Sequence, residues 1–502
     1  MSFFSMDKDF DVVVIGGGIV GSYLAAGLAR KGRRVALVER GGEEIPVQEQ
    51  ALPSLRCSMR PHLGSVMARN HVLGGNGHYW GGGLIRPTDP GLLQSLGIAD
   101  AHTDTSQTLA QHFAHVERQF GLGIPAERIP FHLRDGTDDP QLSEIRVLPS
   151  RSRNTPQSLF VELRRHSGCA ILTGSELLGF SSGGMAMRGR RTASVAIRHQ
   201  GRSRELATDA CVIAAGTIDT NLIVAAHSES LGATSCSVLG RCLHDHLSLP
   251  IASVRLGPNQ ALKQLLSPRF DRGWITGRRF ELQCERGWGA RGFLHFTFQF
   301  DEVTPYRELK QLMTLRQKRA PLIQQLQALQ SLFTATPALL QIARERMLHR
   351  RLHLAQELTV TATLDFETFP HPENSLTLHG PDAELAWDIR EQDEMSYLEL
   401  LRKAQSVLGE LIQGYGMQVR PIATLADEAD ALLHLHRSAT DAFHLGGGLA
   451  AGCEDGAAVD TNLRLCGTEN VYVVSAAVLA RPGVVNPTLT LLALADRFVH
   501  YH

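Results

Sequence analysis

The stretch DVVVIGGGIVGSYLAAGLARKGRRVALVER, residues 11–40, decides the fold. It begins with a short apolar run, residues 11–15, of the kind that is buried on both faces of a parallel sheet. Residues 16–21 then fit the pattern G-x-G-x-x-G, a helical pattern covers residues 22–30, and a second strand is predicted over residues 34–38. That order predicts a β-α-β unit at the start of a Rossmann-type domain.

The same unit predicts a dinucleotide site. The first glycine of the pattern permits a tight turn, the second lets the backbone approach a pyrophosphate, and the third lets helix and strand pack closely. The helix N-terminus offers free amides and partial positive charge to the phosphates. Glu39 can accept hydrogen bonds from a ribose diol, which favours FAD or NAD over NADP, and a single fingerprint favours one tightly held FAD. The predicted contacts are Gly16, Gly18, Ile19, Val20, Gly21, Glu39 and Arg40.

Length and composition narrow the remaining classes. The chain has 502 residues, 43% of them hydrophobic, which is typical of a globular protein of two or three domains. A net charge of −1 disfavours a nucleic-acid partner. Eight cysteines without a Cys-x-x-Cys pair favour reduced thiols. We see no signal peptide and no apolar run long enough to cross a membrane, so we expect a cytoplasmic protein without an integral membrane segment.

Later segments belong beside this first unit. We interpret residues 169–178 as a strand reaching the adenine, residues 209–216 as an apolar strand ending in a glycine turn, and residues 240–246 as a polar turn. A strand is predicted over residues 470–475. A helix is predicted over residues 486–499, with Asn486 at its N-cap and Pro487 at its first position.

These segments resemble the glucose–methanol–choline oxidoreductase family, whose members bind FAD and oxidise alcohols. The resemblance covers about residues 9–90, 165–250 and 440–500, is faint over 250–360, and includes Glu367 and the run Pro372-Glu373-Asn374-Ser375. It implies an α/β fold. A discontinuous Rossmann-type FAD-binding domain would comprise 1–95, 150–250 and 440–502, and an inserted α+β substrate domain on a mainly antiparallel sheet would comprise 96–149 and 251–439, with a helical insert at about 303–360.

Residues 73–83 form a glycine-rich loop that packs on the isoalloxazine ring in that family. A flexible surface loop is the alternative, but such a loop would leave the aromatic side chains of Tyr79 and Trp80 exposed to solvent. Some sugar-oxidising relatives carry a histidine before this tryptophan that bonds covalently to the flavin. Tyr79 stands there in this chain, so we expect dissociable FAD. The predicted contacts are Gly74, Gly75, Asn76, His78, Tyr79, Trp80 and Gly81.

The resemblance also implies the catalytic pair. His444 occupies the position of the family's histidine and is predicted as the base, and Asn486, 42 residues later, is predicted to orient the alcohol oxygen. Activity should then fall as pH drops through about 6.5. The glycines at 446–448 depart from the family pattern and predict a roomier site. Further predicted cofactor contacts are Leu177, Ala215, Gly216, Ser475, Ala476, Pro487 and Thr488.

The first hypothesis is FAD-dependent oxidation of an alcohol to an aldehyde or ketone, on a polar sugar-like or natural-product substrate. Oxygen or another carrier would accept the electrons. The alternatives are a flavin-containing lyase or other non-redox family member, and a catalytically weak FAD-binding protein. Metal binding by paired histidines is disfavoured, because no further ligand accompanies them.

The leucine-rich, basic segment 303–360 predicts helices. A lid or packing element with a solvated cationic face is the simplest interpretation. An oligomer contact, an entrance for acidic substrates and attachment to a membrane surface are the alternatives.

Overall fold

A computed structural model describes residues 9–44, 55–87, 89, 92, 96, 109–122, 128–133, 140–147, 155–233, 239–271, 274–298, 311–312, 315, 321–334, 336–354, 358–380, 382–421, 427–452 and 457–502. The strands are β1 Phe10–Ile15, β2 Val35–Val38, β3 Leu55–Met59, β4 Gly83–Leu84, β5 Arg128–Pro130, β6 Gln141–Val147, β7 Ala170–Leu172, β8 Ser175–Ala186, β9 Gly189–His199, β10 Arg202–Ile213, β11 Arg241–His244, β12 His246–Arg255, β13 Arg269–Asp271, β14 Trp274–Gln283, β15 Arg291–Phe298, β16 Thr359–Glu367, β17 Ser375–His379, β18 Asp382–Trp387, β19 Gln418–Pro421, β20 Thr440–Asp441, β21 Gly446–Gly448 and β22 Val471–Val473.

The helices are α1 Ile19–Arg30, α2 Leu63–Met67, α3 Leu109–Gln119, α4 Thr155–Leu163, α5 Gly216–Ala226, α6 Ser228–Leu231, α7 Gln260–Leu266, α8 Leu322–Thr334, α9 Thr336–Leu348, α10 Glu391–Tyr415, α11 Glu428–Ser438 and α12 Thr488–Tyr501. Short 3₁₀ turns cover Gly75–His78 and Ala476–Val478.

The first sheet has a parallel core in the order β7-β2-β1-β10-β22. Residues 12–15 and 35–38 are buried throughout, because helices and loops cover both faces of such a sheet. The sheet extends from β10 through an antiparallel meander with β9 and β8. The predicted Rossmann-type α/β unit is confirmed.

The predicted strand over residues 169–178 is wrong, because the segment forms two strands. β7 pairs with β2, and the chain then turns at Gly174, whose amide donates to the Gly41 carbonyl at 2.8 Å. β8 leaves from there and pairs with β9 instead. The turn therefore lies directly beside the residues that follow β2.

Helix α12 closes this domain against α1. The Tyr23 hydroxyl donates to Asp496 at 2.8 Å, and a Cβ atom on Gly27 would lie 2.9 Å from Val499. Helix α3 also packs here, since His112 contacts Asp496 at 2.8 Å. Residues 109–119 thus join the first core, although the sequence places them in the second domain. The domain boundaries otherwise stay a prediction.

The second sheet is antiparallel, in the order β19-β12-β16-β15-β14-β6-β4, as the sequence predicts for its mainly antiparallel domain. One face packs under α10 through alternating apolar side chains such as Leu247, Leu364 and Leu294. The predicted polar turn at residues 240–246 is wrong. The segment forms β11 and the start of β12, with residues 243–246 buried.

Helices α8 and α9 form in the predicted helical insert. The leucines at 322, 326 and 329 are exposed, so they do not form the buried packing face that the simplest interpretation requires. Arg307, Lys310, Arg316, Lys318 and Arg319 lie outside the described residues. Among the helices that are described, none has the length and apolarity to cross a bilayer.

Candidate active site

The turn between β1 and α1 is shaped for close approach by a ligand. Gly16 has a φ of +102°, and a Cβ atom there would lie 2.6 Å from the Ala214 carbonyl oxygen. A Cβ atom on Gly21 would overlap the Gly16 carbonyl oxygen. A Cβ atom on Gly18 meets nothing within 4 Å. Gly16 and Gly21 therefore serve the fold, whereas Gly18 faces open space at the helix N-terminus.

Glu39 lies at the end of β2 and is almost fully buried. Its carboxylate accepts the amide of Gly17 at 2.7 Å and that of Gly41 at 2.8 Å. Burial raises the pKa of Glu39, although these amides oppose that shift. Each carboxylate oxygen has a second lone pair, so the group can still accept a ribose hydroxyl. Arg40, the next predicted contact, is exposed.

The glycine-rich loop packs directly on this turn. The Gly74 amide donates to the Gly17 carbonyl at 2.8 Å, and a Cβ atom on Gly75 would lie 3.2 Å from the Cα atom of Gly18. The chain leading to the loop is tied to α5 by the ion pair between Arg69 and Asp219 at 2.7 Å. The loop is therefore held against the turn that is predicted to bind the dinucleotide.

The aromatic residues of the loop have different environments. Trp80 is partly buried and packs against the first core. Tyr79 is 59% exposed in the protein alone, so its contact with the flavin stays a prediction. The His78 ring contacts the Leu73 carbonyl at 2.8 Å and thereby braces the loop. Asn76 and Gly81 are exposed at the loop surface.

The remaining predicted cofactor contacts are distributed around the same sheet edge. Ala215 precedes α5, and Gly216 is its exposed first residue. Leu177 is half-buried on β8 and packs against the first core. Ser475 accepts the Ala477 amide at 3.3 Å and begins a 3₁₀ turn that also contains Ala476.

The N-terminus of α12 differs from the prediction. The helix starts at Thr488 with Pro487 as its N-cap, and no side chain caps it. The predicted capping by Asn486 is wrong, because its carboxamide points to a histidine instead. Asn486 Nδ2 lies 2.8 Å from His444 Nε2.

The structure thus brings His444 and Asn486 together. A Cβ atom on Gly83, at the end of the glycine-rich loop, would lie 3.6 Å from Asn486 Oδ1. The loop over the dinucleotide turn therefore leads to the imidazole–carboxamide pair.

Asp245 holds the backbone of His444. Its two oxygens accept the His444 amide at 3.0 and 3.1 Å, and one also accepts the amide of His246. His62 Nδ1 accepts the Ser65 amide, so His62 Nε2 carries the proton that faces Asp245 at 3.2 Å. Burial alone would raise the pKa of Asp245, but the neighbouring His62 ring holds that pKa below its ordinary value.

Two more buried histidines hold the chain that carries Asn486. The His244 ring donates to the Leu479 carbonyl at 2.8 Å, and the His246 ring donates to the Gly483 carbonyl. Burial lowers the pKa of His244 to about 4 and also lowers that of His246. Both rings are neutral near pH 7. Ligand-type groups also lie close together in the sets Asp245/His246/His444 and His62/Asp245/Asp441.

The glycines after His444 are tightly packed, so the expectation of a roomier site is wrong. They form β21, which pairs with β11. A Cβ atom would lie 2.6 Å from the His244 ring at Gly446 and 2.5 Å from the Cys242 carbonyl at Gly447. At Gly448 it would overlap the Asn221 carboxamide. Glycine is required here because backbone and buried side chains approach closely.

Burial is the main cause that lowers the pKa of His444 to about 4, and the neighbouring His246 ring is the second. The imidazole is therefore neutral over a wider range than an ordinary histidine. The expected loss of activity near pH 6.5 moves down towards pH 4.

Sequence reasoning missed a polar face of the second sheet. Residues alternate along β15 and β16, so apolar side chains enter the core under α10 and polar ones face the other way. On that polar face His295 Nε2 lies 3.2 Å from Asp365 Oδ2. Burial would raise the pKa of Asp365, but the contact with His295 keeps that pKa below its ordinary value. The alternating runs at residues 291–295 and 364–367 are the signal that could have identified it.

A buried arginine lies on the same face. Arg279 has no exposed surface, pairs with Glu281 at 3.1 Å and lies over the Phe293 ring at 4.1 Å. Its guanidinium also donates to the Val484 carbonyl at 3.4 Å, two residues before Asn486. His246, on the same face, has its ring 5.3 Å from the His444 ring. The polar face therefore borders the imidazole–carboxamide pair.

The residues present fit FAD. Open space lies at Gly18, and the N-termini of α1 and α12 have no side-chain cap. The Thr490 hydroxyl in the first turn of α12 is buried, and we find no hydrogen-bond partner for it among the described residues. Both helix ends can therefore donate amides to anionic groups.

Comparison with known proteins gives three findings. Residues 370–495, about a quarter of the chain, match the family model described as GMC oxidoreductase. The crystal structure of pyridoxine 4-oxidase from Mesorbium loti is similar in fold, with a TM-score of 0.57, 18% identity, and coverage of 98% of this chain and 99% of that one.

The third similarity is local. Squalene monooxygenase from Candida glabrata is 28% identical over 132 residues, which are 26% of this chain and 22% of that protein. The match therefore spans about a fifth of the length of this relative.

Proposed function

We propose, from the premise that this chain belongs to the GMC oxidoreductase family, that it is an FAD-dependent enzyme that oxidises an alcohol to an aldehyde or ketone. The observation that carries the proposal is the 2.8 Å contact between His444 and Asn486, at the end of a glycine-rich loop that packs on the dinucleotide turn. Bound FAD would supply the two-electron acceptor for the hydride that leaves the alcohol carbon.

The pair supplies the proton chemistry. The alcohol oxygen takes the place of the present contact, accepting a hydrogen bond from Asn486 Nδ2 and donating its own to His444 Nε2. His444 takes the hydroxyl proton as the bond to hydrogen at carbon breaks. A neutral imidazole is ready for this at pH 7, since its pKa is about 4. Asn486 stabilises the negative charge that develops on oxygen.

Placement of the base depends on Asp245. Because this buried carboxylate accepts the His444 amide, it fixes the backbone while leaving the ring free to face the substrate. Phe443 is held at a φ of +63°, a conformation that is rare outside glycine and asparagine. The backbone on both sides of the Phe443–His444 peptide bond is thus constrained, and the His444 ring lies within 2.8 Å of Asn486.

The polar sheet face supports a polar substrate. The Asp365 carboxylate lies on this face, beside the side chains of His295 and Ser248. The negative charge of Asp365 opposes the fall in the pKa of His444. A substrate with a second hydroxyl group could donate to Asp365 while its reacting hydroxyl contacts the pair.

The experiment is anaerobic mixing of the FAD-loaded enzyme with a panel of sugars, polyols and other alcohols, followed by loss of the flavin absorbance band. With a substrate found in this way, His444→Ala should slow flavin reduction about 10²- to 10⁴-fold with FAD still bound. Asn486→Ala should slow it about 10²- to 10³-fold.

His436→Ala is the matched control, since this histidine lies on the surface of α11 and contacts Glu394. It should reduce flavin at the unaltered rate. Unchanged reduction in His444→Ala would remove that residue from the mechanism. A substrate consumed without flavin bleaching would instead favour the lyase interpretation.

A further inference from the structure

The helical pair α8 and α9 projects an apolar surface that nothing in the described fold covers. Leu322 is 77% exposed, Ile323 67% and Leu326 61%. Single exposed leucines are ordinary, but a contiguous group on neighbouring turns marks an interaction surface. We call this group the leucine face; its members are Leu322, Ile323, Leu326, Leu329, Leu340, Met347 and Leu348.

The spacing places these residues on common helix sides. Leu322, Leu326 and Leu329 are four and three residues apart, so they lie along one side of α8. Leu340 and Met347 are seven apart and lie along one side of α9. Apolar residues are therefore aligned along exposed sides of both helices, and polar residues such as Gln324 and Gln327 on α8 are exposed too.

Positive charge is concentrated in the same segment. Residues 303–360 contain nine Lys and Arg against three Asp and Glu, while the entire chain has 50 against 51. Arg344 is exposed and lies on the same side of α9 as Leu340 and Met347, four residues from the first. On α9, apolar and cationic side chains thus share one exposed side.

The end of the helical pair is fixed to the second sheet. The Arg350 carbonyl accepts the Phe270 amide at 2.6 Å, and the Arg346 guanidinium lies 3.4 Å above the Phe270 ring. The Leu352 amide also donates to the Pro268 carbonyl at 2.8 Å. The C-terminal end of α9 is therefore attached to the sheet that also carries Asp365.

We propose that the leucine face docks on an anionic lipid bilayer. Exposed leucines beside arginines suit the boundary between headgroups and acyl chains, where the apolar groups insert and the guanidinium groups meet lipid phosphates. A second copy of the chain would bring like charges together across a symmetric contact, which disfavours self-association. A nucleic acid would leave the leucines in water.

The test is flotation of the full-length protein with vesicles of phosphatidylcholine containing phosphatidylglycerol, compared with vesicles of phosphatidylcholine alone. We expect binding to the anionic vesicles only, weakened by added salt. The variant Leu322→Gln/Ile323→Gln/Leu326→Gln should reduce the bound fraction at least tenfold, and Arg344→Gln should reduce it to a smaller extent. Glutamine keeps the helix propensity, so folding should be unchanged.

Ile412→Gln/Leu433→Gln is the matched control. These residues are 42% and 48% exposed on α10 and α11, outside the basic segment 303–360. This variant should float like the unmodified protein. Equal binding to neutral vesicles, or equal loss in the control, would overturn the proposal. Self-association that the triple variant abolishes, without vesicle binding, would overturn it in favour of a protein contact.

Discussion

Replacing Gly18 by alanine should separate cofactor affinity from folding. Gly18 has a φ of −69°, which alanine adopts freely, and a Cβ atom there meets nothing within 4 Å. The folded chain therefore accommodates the methyl group. The methyl group would, however, fill the space at the N-terminus of α1 that a pyrophosphate needs to reach the helix amides.

The magnitude follows from those amides. A hydrogen bond between a backbone amide and a charged oxygen contributes about 1.5–3 kcal/mol. A methyl group that displaces the pyrophosphate weakens one such bond or more, so the Kd for FAD should rise about 10- to 100-fold. The free energy of unfolding without cofactor should change by less than about 0.5 kcal/mol. Alanine is less favourable than glycine at an N-cap, but it also reduces the conformational freedom of the unfolded chain, and the two effects oppose each other.

The assay combines FAD titration of the stripped protein, followed by flavin fluorescence, with thermal unfolding of the same sample. The matched variant is Gly21→Ala, whose Cβ atom would overlap the Gly16 carbonyl oxygen. That variant should lower the melting temperature of the stripped protein, unlike Gly18→Ala. Unchanged FAD affinity in Gly18→Ala would refute the placement of the pyrophosphate.

Three further predictions follow from the buried groups. Gly448→Ala should lower the free energy of unfolding by about 2–5 kcal/mol, because φ is +94° and the methyl group would displace Asn221 from its hydrogen bond to the Gly447 carbonyl. The control Gly201→Ala has a φ of +73° but open space around the new methyl group, so chemical denaturation should show a loss of only about 1–2 kcal/mol. Burial raises the pKa of Glu367 from 4.5 to about 7, so ionisation of this carboxyl lowers the stability of the fold as pH rises between those values. Glu367→Gln should therefore raise the free energy of unfolding at pH 8 by up to about 3 kcal/mol and change it little at pH 4. An equal change at both pH values would contradict the raised pKa. Flavin reduction in stopped flow should stay constant from pH 8 to about 5 and fall towards 4, where His444 protonates; a midpoint at 6.5 would show an ordinary imidazole.

The β-α-β unit was predictable because its signals are local. The glycine spacing, the apolar strands and the acid after β2 are read within thirty residues, and each has a direct steric or electrostatic cause. The positions of His444 and Asn486 required the family resemblance, since no local pattern states that residues 42 apart meet. Their roles stay predictions until the variants are measured.

The features that the sequence did not reveal depend on distant contacts. Asp245 lies 199 residues from His444, so its role as a backbone anchor is invisible to spacing. The glycines at 446–448 suggested loose packing because glycine serves both loops and close approaches. Only the neighbouring His244 and Asn221 decide between these uses.

The pair is positioned by residues at the junction of β11 and β12. The backbone amide of His444 is bound by Asp245, which lies between β11 and β12. Asn486 follows a segment whose Leu479 and Gly483 carbonyls accept hydrogen bonds from the rings of His244 and His246. The same strand region thus anchors the backbone of His444 and the segment that leads to Asn486. Because the polar face continues from His246 along that sheet, the proposed substrate recognition and proton transfer would share one support.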